Sequence, residues 1–294
     1  MGSAAPANVL VLGLGYAGRH LAALLQAQGI ACSGTVRDLA HAPNDGLVRH
    51  RLLAGQPIDA GLCDAIRSAD AIVCTVPPDA QGDPALRLLA MALEDAPALH
   101  WVGYLSSTAV YADRDGGWVD VHSVADAVEE TALQRLRAEQ QWQVFAQARG
   151  IASAVVRLPA LYGRGRNALV QLAQGKARHI VRPGQVFNRL HVEDLASAVL
   201  AAMQRPHGHA LYLPADDQAA PPQDVLAYAA ALSGLPLPAA QAWDDPALPA
   251  SLRRFYRSNK RIDSRGTRAA LQWQPQFATY REGLADAWAH GDGR

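Results

Sequence analysis

Three glycines near the N-terminus have the spacing of a dinucleotide-binding loop. The apolar run Val9–Leu12 leads into Gly13, Gly15 and Gly18, and a segment with helically spaced leucines follows. In such a loop the first glycine permits a tight turn, the second lets the backbone approach a pyrophosphate, and the third lets helix and strand pack closely. The phosphates would lie against the free N–H groups at the helix N-terminus. The predicted dinucleotide site comprises Gly13, Leu14, Gly15, Tyr16, Ala17, Gly18 and Arg19.

The end of the second predicted strand bears on which dinucleotide is bound. Arg37 and Asp38 lie about twenty residues after Gly18, where a carboxylate accepts from the ribose 2′-hydroxyl of NAD or an arginine accommodates the 2′-phosphate of NADP. Arg37 offers a planar cationic fork that suits phosphate, and Arg19 adds a second positive charge nearby. A shift of one residue would put Asp38 in its place, so both cofactors stay open. We expect NADP in preference to NAD.

Composition and charge limit the classes of partner. The 294 residues carry 27 Lys and Arg against 27 Asp and Glu, so no global field favours nucleic acid or an anionic membrane. No apolar run reaches the ~18 residues of a membrane span, and no secretory signal is visible. The ten histidines and three cysteines form no metal-binding motif. We therefore expect a cytoplasmic protein that takes a small-molecule substrate and has no metal, nucleic-acid or membrane partner.

Strand-like and helix-like segments alternate, which predicts an α/β fold with a Rossmann-type doubly wound parallel sheet. We expect an NAD(P)-binding domain over residues 1–165, with a contribution from 186–214, and a smaller C-terminal substrate lobe from 166–185 and 215–294. The predicted strands are Val9–Leu12, Cys32–Val36, Arg49–Leu53, Ala71–Val76, His100–Ser106, Ala154–Leu158, His179–Gly184 and Ala210–Pro214. The predicted helices are Tyr16–Gln28, Pro84–Ala96, Ala125–Arg149, Asn167–Gln174 and Val192–Gln204, with a reduced helix before the third strand.

Six segments make the chain similar to the extended and atypical short-chain dehydrogenase/reductases, the NAD-dependent epimerase/dehydratase-like family, from about residue 8 to residue 290. They are GLGYAG (13–18), TVRD (35–38), TVPP (75–78), YLSSTAVY (104–111), VVRLPALYG (155–163) and RLHVEDLA (189–196). The resemblance implies a hydride transfer between C4 of nicotinamide and a substrate carbon, with a tyrosine acid/base and a Ser or Thr that holds the substrate oxygen. Further cofactor contacts are expected at Thr75, Val76, Pro77, Ser106 and Pro159.

The family's catalytic positions are only partly preserved in this sequence. Its Ser/Thr falls on Ser107, four residues before Tyr111, although Ser107 could instead merely cap the strand. Its tyrosine and lysine, which lie four apart on one helix face, fall on Thr131 and Arg135. Arg135 could still donate to a ribose, but a threonine hydroxyl is far too weak an acid for general acid–base work. Tyr111 is the nearest phenol and is a candidate replacement.

Other polar residues near the expected cleft have a structural and a functional interpretation. We expect His191 to pack where a strand meets a helix, and Glu193 and Asp194 to serve the first turn of that helix. Lys260 and Arg261 are cations near the expected cleft, and a solvated face explains them equally well.

Three hypotheses about function follow. The first is an NADP-dependent oxidoreductase or epimerase acting on a small molecule, with Ser107 orienting the substrate. The second is a catalytically silent NADP-binding regulatory or interaction protein, which Thr131 favours. The third is a nucleotide-sugar epimerase or dehydratase, which the resemblance weakens because Phe187 replaces the family's diphosphate-gripping arginine. Since family members often dimerise through the helix with the catalytic pair, a homodimer through Ala125–Arg149 stays open, as does the identity of the substrate.

Overall fold

A seven-stranded parallel sheet forms the centre of the molecule, whose computed structural model describes residues 6–41 and 43–294, apart from the side chains at 251 and 254. The strands are β1 (Asn8–Leu12), β2 (Ala31–Val36), β3 (Val48–Arg51), β4 (Ala71–Cys74), β5 (Trp101–Ser107), β6 (Trp118–Val119), β7 (Ala152–Leu158), β8 (Ala160–Tyr162), β9 (His179–Val181), β10 (Arg189–His191), β11 (His209–Tyr212), β12 (Ala240–Ala242) and β13 (Arg261–Ile262). The helices are α1 (Tyr16–Ala27), α2 (Ala60–Ser68), α3 (Pro84–Glu94), α4 (Glu130–Arg149), α5 (Ala168–Ala173), α6 (Val192–Gln204), α7 (Pro222–Ser233), α8 (Ala250–Phe255), α9 (Arg265–Leu271) and α10 (Tyr280–Ala289), with a 3₁₀ turn at Thr108–Val110.

The strand order of the central sheet determines where a ligand can bind. The order is β11-β7-β5-β4-β1-β2-β3, and every neighbouring pair is parallel. The chain runs outward from β1 to one side through β2 and β3, then returns to the other side of β1 with β4. In open α/β sheets ligands bind outside the carboxyl ends of the strands at such a reversal. Gly13 and Thr75, which follow β1 and β4, therefore flank the expected cleft.

Helices cover both faces of the sheet, which is why β1 is apolar at successive positions. Val9 and Val11 pack into a core cluster with α1 and α6. Leu10 and Leu12 pack into a second cluster with α2, α3 and α4. This arrangement confirms the α/β Rossmann-type sheet predicted from the sequence.

Helix α2 is one of the helices that the sequence analysis does not predict. Asp59 begins it by accepting the N–H of Leu62 at 2.7 Å, and Leu62 and Ile66 face the sheet. An Asp cap ahead of two apolar residues spaced four apart is a pattern that indicates a helix. The preceding strand also ends earlier than predicted, at Arg51.

Helix α4 is shorter than predicted at its N-terminus. It begins at Glu130 rather than Ala125, because the segment before it is bound to a neighbouring loop. Asp126 accepts the N–H of Ala112 at 2.9 Å and forms an ion pair with Arg114 at 2.8 Å. These bonds hold the segment in a conformation that cannot continue the helix.

A separate apolar cluster lies outside the central sheet. Side chains of α5, α7 and α10 build it, among them Leu169, Leu226 and Leu284. Three two-stranded parallel pairs, β8 with β10, β9 with β12 and β6 with β13, also lie outside the main sheet. The residue boundaries expected for the two parts of the chain stay a prediction.

Two features are absent from the described residues. None of their helices is both long and apolar enough to cross a membrane. No three of their His, Cys, Asp and Glu side chains come together in a group that could hold a metal ion.

Gly18 is the residue where α1 packs most closely against the loop that follows β1. A Cβ atom at Gly18 would overlap with the carbonyl oxygen of Gly13 and would stand 3.2 Å from Cγ1 of Val11. Both neighbours belong to the β1–α1 unit, so a larger side chain would push the helix away from the strand.

The substitution Gly18→Ala is expected to lower the free energy of unfolding by about 1–3 kcal/mol, the usual range for overpacking a buried position. Urea unfolding followed by circular dichroism measures the change. Gly266→Ala in α9 is the matched control, because its Cβ would meet only Cγ2 of Val121 at 3.7 Å. Equal effects of the two substitutions would contradict the close packing at Gly18.

Candidate functional site

The loop between β1 and α1 brings its backbone to the edge of the cleft. Gly13 has a φ of 98°, which favours glycine, and a Cβ there would stand 2.8 Å from Oγ1 of Thr75. The Gly13 carbonyl accepts from Thr75 Oγ1 at 2.5 Å, and the Leu14 N–H donates to the carbonyl of Thr35 at 2.8 Å. Gly15 has no atom within 4 Å of where its Cβ would be. The loop is therefore fixed behind Gly13 and open at Gly15.

The N-terminus of α1 has no cap of its own. Its N-cap residue is Gly15, no side chain of the described residues caps it, and its first turn contains no acidic residue. The free N–H groups and the positive end of the helix dipole are thus available to an anion. These residues fit the pyrophosphate of a dinucleotide.

Arg37 and Asp38 differ in how far their side chains are engaged. Arg37 is exposed, and its guanidinium has no hydrogen bond or ion pair within the described part of the chain. Asp38 contacts His41 Nδ1 at 2.7 Å and accepts the N–H of Ala40 at 2.9 Å, and these hydrogen bonds hold its pKa below the usual value. Arg19 is also exposed. The arginines are free to contact a ligand, whereas the carboxylate that would favour NAD already has partners.

The remaining residues of the predicted dinucleotide site lie at the same end of the sheet. The guanidinium of Arg166 lies over the ring of Tyr16, 5.1 Å from its centroid, and burial raises the pKa of Tyr16 to about 12. Ala17 and Val76 are half-buried, and Pro77 is exposed. Contacts of these residues with a cofactor stay a prediction.

A buried ion pair joins α4 to the strands beside the cleft. Arg157 on β7 and Glu139 on α4 have side chains that are each 9% exposed, and Nη2 lies 2.7 Å from Oε2. Ser106 donates its hydroxyl to Glu139, and Arg157 Nη1 donates to Oη of Tyr111 at 2.9 Å. These four polar side chains come from β5, β7, α4 and the turn after β5. They thus satisfy one another's hydrogen-bonding groups in the core.

This arrangement bears on the expectations for two site residues. Ser106, expected to contact the cofactor, is buried and its hydroxyl is bonded to Glu139. Tyr111, expected as a replacement acid, is buried as well, and its hydroxyl also donates to the carbonyl of Asp120 at 3.3 Å. Burial raises the pKa of Tyr111. Both hydroxyls already have partners in the core, although Tyr111 also lines the cavity described next. A contact of Ser106 with a cofactor and a catalytic role of Tyr111 stay predictions.

A cavity of about 430 Å³, here called the Ser107 cavity, lies beside β5 and the first turn of α4. Ser107, Thr131, Pro159 and Lys260 all line it. The hydroxyl of Ser107 accepts the N–H of Ala109 at 3.1 Å, which leaves its own proton available to a ligand. The structure therefore brings the predicted Ser107 and Pro159 together with the position of the family's tyrosine.

Arg135 lies outside the lining of the Ser107 cavity. Its Nη1 donates to the carbonyl of Leu105 at 3.1 Å and to Oη of Tyr104 at 3.4 Å, so the guanidinium lies against β5. A contact of Arg135 with a bound ribose stays a prediction.

Lys260 is buried rather than solvated. Its side chain lines the Ser107 cavity, and its Nζ donates to the carbonyl of Tyr111 at 2.7 Å and to Oγ of Ser258. Desolvation lowers the pKa of Lys260 to about 8. The sequence analysis left this residue open, because nothing local in the sequence shows that the segment folds into the cleft.

A larger cavity of about 760 Å³, here called the basic cavity, adjoins the Ser107 cavity, since Phe187 and Phe255 line both. Arg189 is 9% exposed, and its Nη1 donates to the carbonyls of Phe187 and Ala220 at 2.9 and 3.1 Å. A guanidinium that opens into a cavity suits an anionic group. The cations that line the basic cavity are Arg166, Lys176, Arg178 and Arg189.

His191 lies at the start of α6, away from both cavity linings. It is fully buried, and its ring lies 3.9 Å from that of Phe277 and 5.2 Å from that of Tyr162, centroid to centroid. Burial lowers the pKa of His191 to about 4, so the ring is neutral near pH 7. Asp194, in the first turn of α6, accepts the N–H groups of Gln276 and Phe277, and these bonds fasten the C-terminal segment to α6.

A comparison with known protein families agrees with the fold and the glycine loop described above. The model of the NAD dependent epimerase/dehydratase family matches residues 9–212. The chain belongs to this family. The resemblance inferred from the sequence motifs is thereby confirmed.

Three similar proteins extend the comparison beyond the family model. A structure of a functionally unknown conserved protein from Silicibacter pomeroyi DSS is 36% identical, with a TM-score of 0.87 over 97% of this chain and 99% of the other. The 3-diazoavenalumate denitrifying reductase of a Streptomyces species is 27% identical over 94% of this chain and 99% of its own. MoeE5 in complex with UDP-glucuronic acid and NAD is 23% identical, with a TM-score of 0.76 over 96% of this chain and 99% of the other, and shares the fold.

The substitution Glu139→Ala is expected to lower the free energy of unfolding by about 3–5 kcal/mol, because it leaves the buried Arg157 without its counter-charge. Asp95→Ala is the control: Asp95 pairs with Arg67 at the surface, and loss of such a pair costs about 1 kcal/mol or less. Chemical denaturation of both variants measures the difference. A loss below about 1 kcal/mol for Glu139→Ala would show that the buried pair does not stabilise the site.

Proposed function

We propose that this protein is an NADP-dependent oxidoreductase or epimerase-like enzyme that acts on a small molecule. The observation that carries the proposal is that the glycine loop and the Ser107 cavity lie at the same edge of the central sheet. The uncapped N-terminus of α1 follows β1, and Ser107 ends β5. Because the sheet is parallel, both strands end at the same edge. An anion-binding loop and a substrate-sized cavity therefore open on the same side of the molecule.

Ser107 is proposed to orient the substrate oxygen. Its hydroxyl accepts a backbone N–H at the start of the 3₁₀ turn, so the oxygen is fixed while the proton stays free to donate. A bound nicotinamide would supply or accept the hydride at the neighbouring substrate carbon. Pro159 and the other walls of the cavity would limit the access of water to that carbon.

The preference for NADP is proposed from the contrast between Arg37 and Asp38. The Arg37 guanidinium has no protein partner within the described residues, whereas the Asp38 carboxylate is engaged by His41 and Ala40. A 2′-phosphate would find a free cation at this position, and Arg19 would add a second positive charge. NAD remains the alternative cofactor.

A nucleotide-sugar epimerase or dehydratase is the second candidate, and the basic cavity favours it. This cavity adjoins the Ser107 cavity and is lined by four cations, a lining that suits a diphosphate. MoeE5, which has this fold, was solved with UDP-glucuronic acid and NAD, and this supports the candidate by analogy of fold alone. Phe187 counts against it, since the family's arginine is absent there, whereas Arg189 offers a guanidinium two residues later.

The substitution Arg37→Ser is expected to weaken NADPH binding about 10- to 100-fold, the equivalent of one charge-assisted hydrogen bond, and to leave NADH binding nearly unchanged. Titration followed by nicotinamide fluorescence measures both affinities. Arg67→Ser in α2, a surface arginine paired with Asp95 and Asp64, is the control and should change neither. If NADPH and NADH bind equally before and after the Arg37 change, the 2′-phosphate assignment is wrong.

The substitution Ser107→Ala is expected to lower turnover about 100-fold or more, because it removes a donor from the substrate oxygen, and to leave NADPH affinity unchanged. Absorbance of NADPH with a panel of aldehydes and ketones measures turnover. If the wild-type protein binds NADPH but reduces none of them, the silent-protein alternative, which Thr131 favours, is supported instead.

A further inference from the structure

Lysine is almost absent from this chain, and one of its two lysines lines the Ser107 cavity. The chain has 27 Lys and Arg, of which only Lys176 and Lys260 are lysines. Lys176 is exposed and donates to Oε1 of Gln174 at 3.0 Å. Lys260 is 8% exposed. Since arginine serves at nearly every other basic position, the buried lysine calls for an explanation in terms of its own chemistry.

The backbone around Lys260 is held from two sides. The N–H of Asn259 donates to Oδ1 of Asp113 at 2.6 Å, and Asn188 Nδ2 donates to the carbonyl of Lys260 at 2.8 Å. The N–H of Ile262 donates in turn to Oδ1 of Asn188 at 2.8 Å. Because β13 also pairs with β6, the lysine is presented to the cavity by a fixed segment rather than by a free loop.

The Lys260 ammonium is held by uncharged acceptors. Its Nζ donates to the carbonyl of Tyr111 at 2.7 Å, to that of Ala112 at 3.5 Å and to Oγ of Ser258. Within the described residues, no carboxylate lies within 4.0 Å of it. A buried ammonium without a counter-charge is costly, and the cost is reduced when it can lose its proton.

The charged groups around Lys260 come from three segments. From the loop after the 3₁₀ turn come Asp113 and Arg114, and from the segment before α4 comes Asp126, which forms an ion pair with Arg114. Glu129, which immediately precedes α4, and Arg257, on the lysine's own segment, line the same cavity and are exposed. Desolvation outweighs these charges and lowers the pKa of Lys260 to about 8.

We propose that Lys260 is the proton donor and acceptor of the Ser107 cavity, in place of the tyrosine that Thr131 replaces. The proposal rests on the proposed function. In the direction of reduction, the carbonyl carbon of the substrate gains a hydride from the reduced nicotinamide, and its oxygen gains a proton from Lys260 Nζ, directly or through the Ser258 hydroxyl. Lys260 is left as a neutral amine and regains its proton from water. In the reverse direction the neutral amine removes the proton from the substrate hydroxyl.

The other groups of the cavity are poorer candidates for this role. The Tyr111 hydroxyl is held in the core by Arg157. An arginine such as Arg257 does not lose its proton in proteins. Asp113 and Glu129 line the cavity but are exposed to solvent, whereas Lys260 is buried. A buried lysine with a lowered pKa is one of the groups that enzymes adapt to acid–base work.

The first experiment measures the titration of Lys260 without any cofactor or substrate. Protein labelled with ¹³Cε-lysine should give two signals, and Lys176→Arg assigns them by removing one. We expect the Lys260 signal to have its midpoint near 8, well below the ordinary lysine value of about 10.4. An ordinary midpoint for Lys260 would overturn the proposal whatever the activity of the protein.

The second experiment tests turnover with Lys260→Met and Lys260→Arg, using NADPH and the aldehyde and ketone panel. Both variants should bind NADPH as the wild type does and lose turnover about 100-fold or more. Wild-type reduction should fall as pH rises through the Lys260 midpoint, and the residual activity of Lys260→Arg should lack that fall. Arg265→Met, an exposed position five residues along the chain, is the control for substitutions in this segment.

The outcomes separate the two proposals. Wild-type turnover that survives Lys260→Met would overturn the role of Lys260 and leave the proposed function standing. Failure of the wild type to bind NADPH, or to reduce any carbonyl, would remove the proposed function and this role with it. Thermal unfolding identifies a variant that has lost its fold, and the conservative Lys260→Arg then decides the matter.

Discussion

The buried ion pair between Glu139 and Arg157 is the interaction on which the geometry of the site depends. Glu139 lies midway along α4, and Arg157 lies near the carboxyl end of β7. Removing two charges from water is costly, and the cost is offset only where further hydrogen bonds satisfy the remaining polar atoms. Ser106 and Tyr111 provide those bonds. The pair therefore constrains the register of α4 against the sheet, together with the apolar contacts of Ala138, Trp142 and Ala146, and with it the place of the cavity wall.

That interaction also divides the polar residues of the site into two groups. Ser106 and Ser107 are adjacent on β5, so their side chains point in opposite directions. The Ser106 hydroxyl donates to Glu139, whereas Ser107 lines the Ser107 cavity. Tyr111 is divided in the same way, because its hydroxyl is bound to Arg157 while its backbone carbonyl accepts from Lys260. The core pair and the cavity lysine are thus connected through a single residue.

Short sequence patterns predict the features that depend on neighbouring residues of the chain. The glycine loop, the apolar strands and the end of α4 at Arg149 each follow from short spacings, and α2 was missed although its Asp59 cap could be read. The core pair and the buried lysine could not be predicted in this way. Glu139 and Arg157 are 18 residues apart, and Lys260 is 149 residues from Tyr111. Their environments exist only once the sheet and the C-terminal segment have come together, so a charged residue read in isolation resembles any solvated one.

The family fold restricts the position of the cofactor more closely than the position of the proton donor. The cofactor loop and the strand ends are set by the sheet, whereas a proton donor needs only to reach the substrate oxygen from some wall of the cavity. The threonine at position 131, where the family has tyrosine, is therefore compatible with proton transfer if another wall of the cavity supplies the proton donor. On our proposal that wall is the segment of Lys260, which Asn188 and Asp113 hold in place. Proton delivery would then depend on the docking of the C-terminal segment against the sheet, and in the family's usual arrangement it depends on α4 alone.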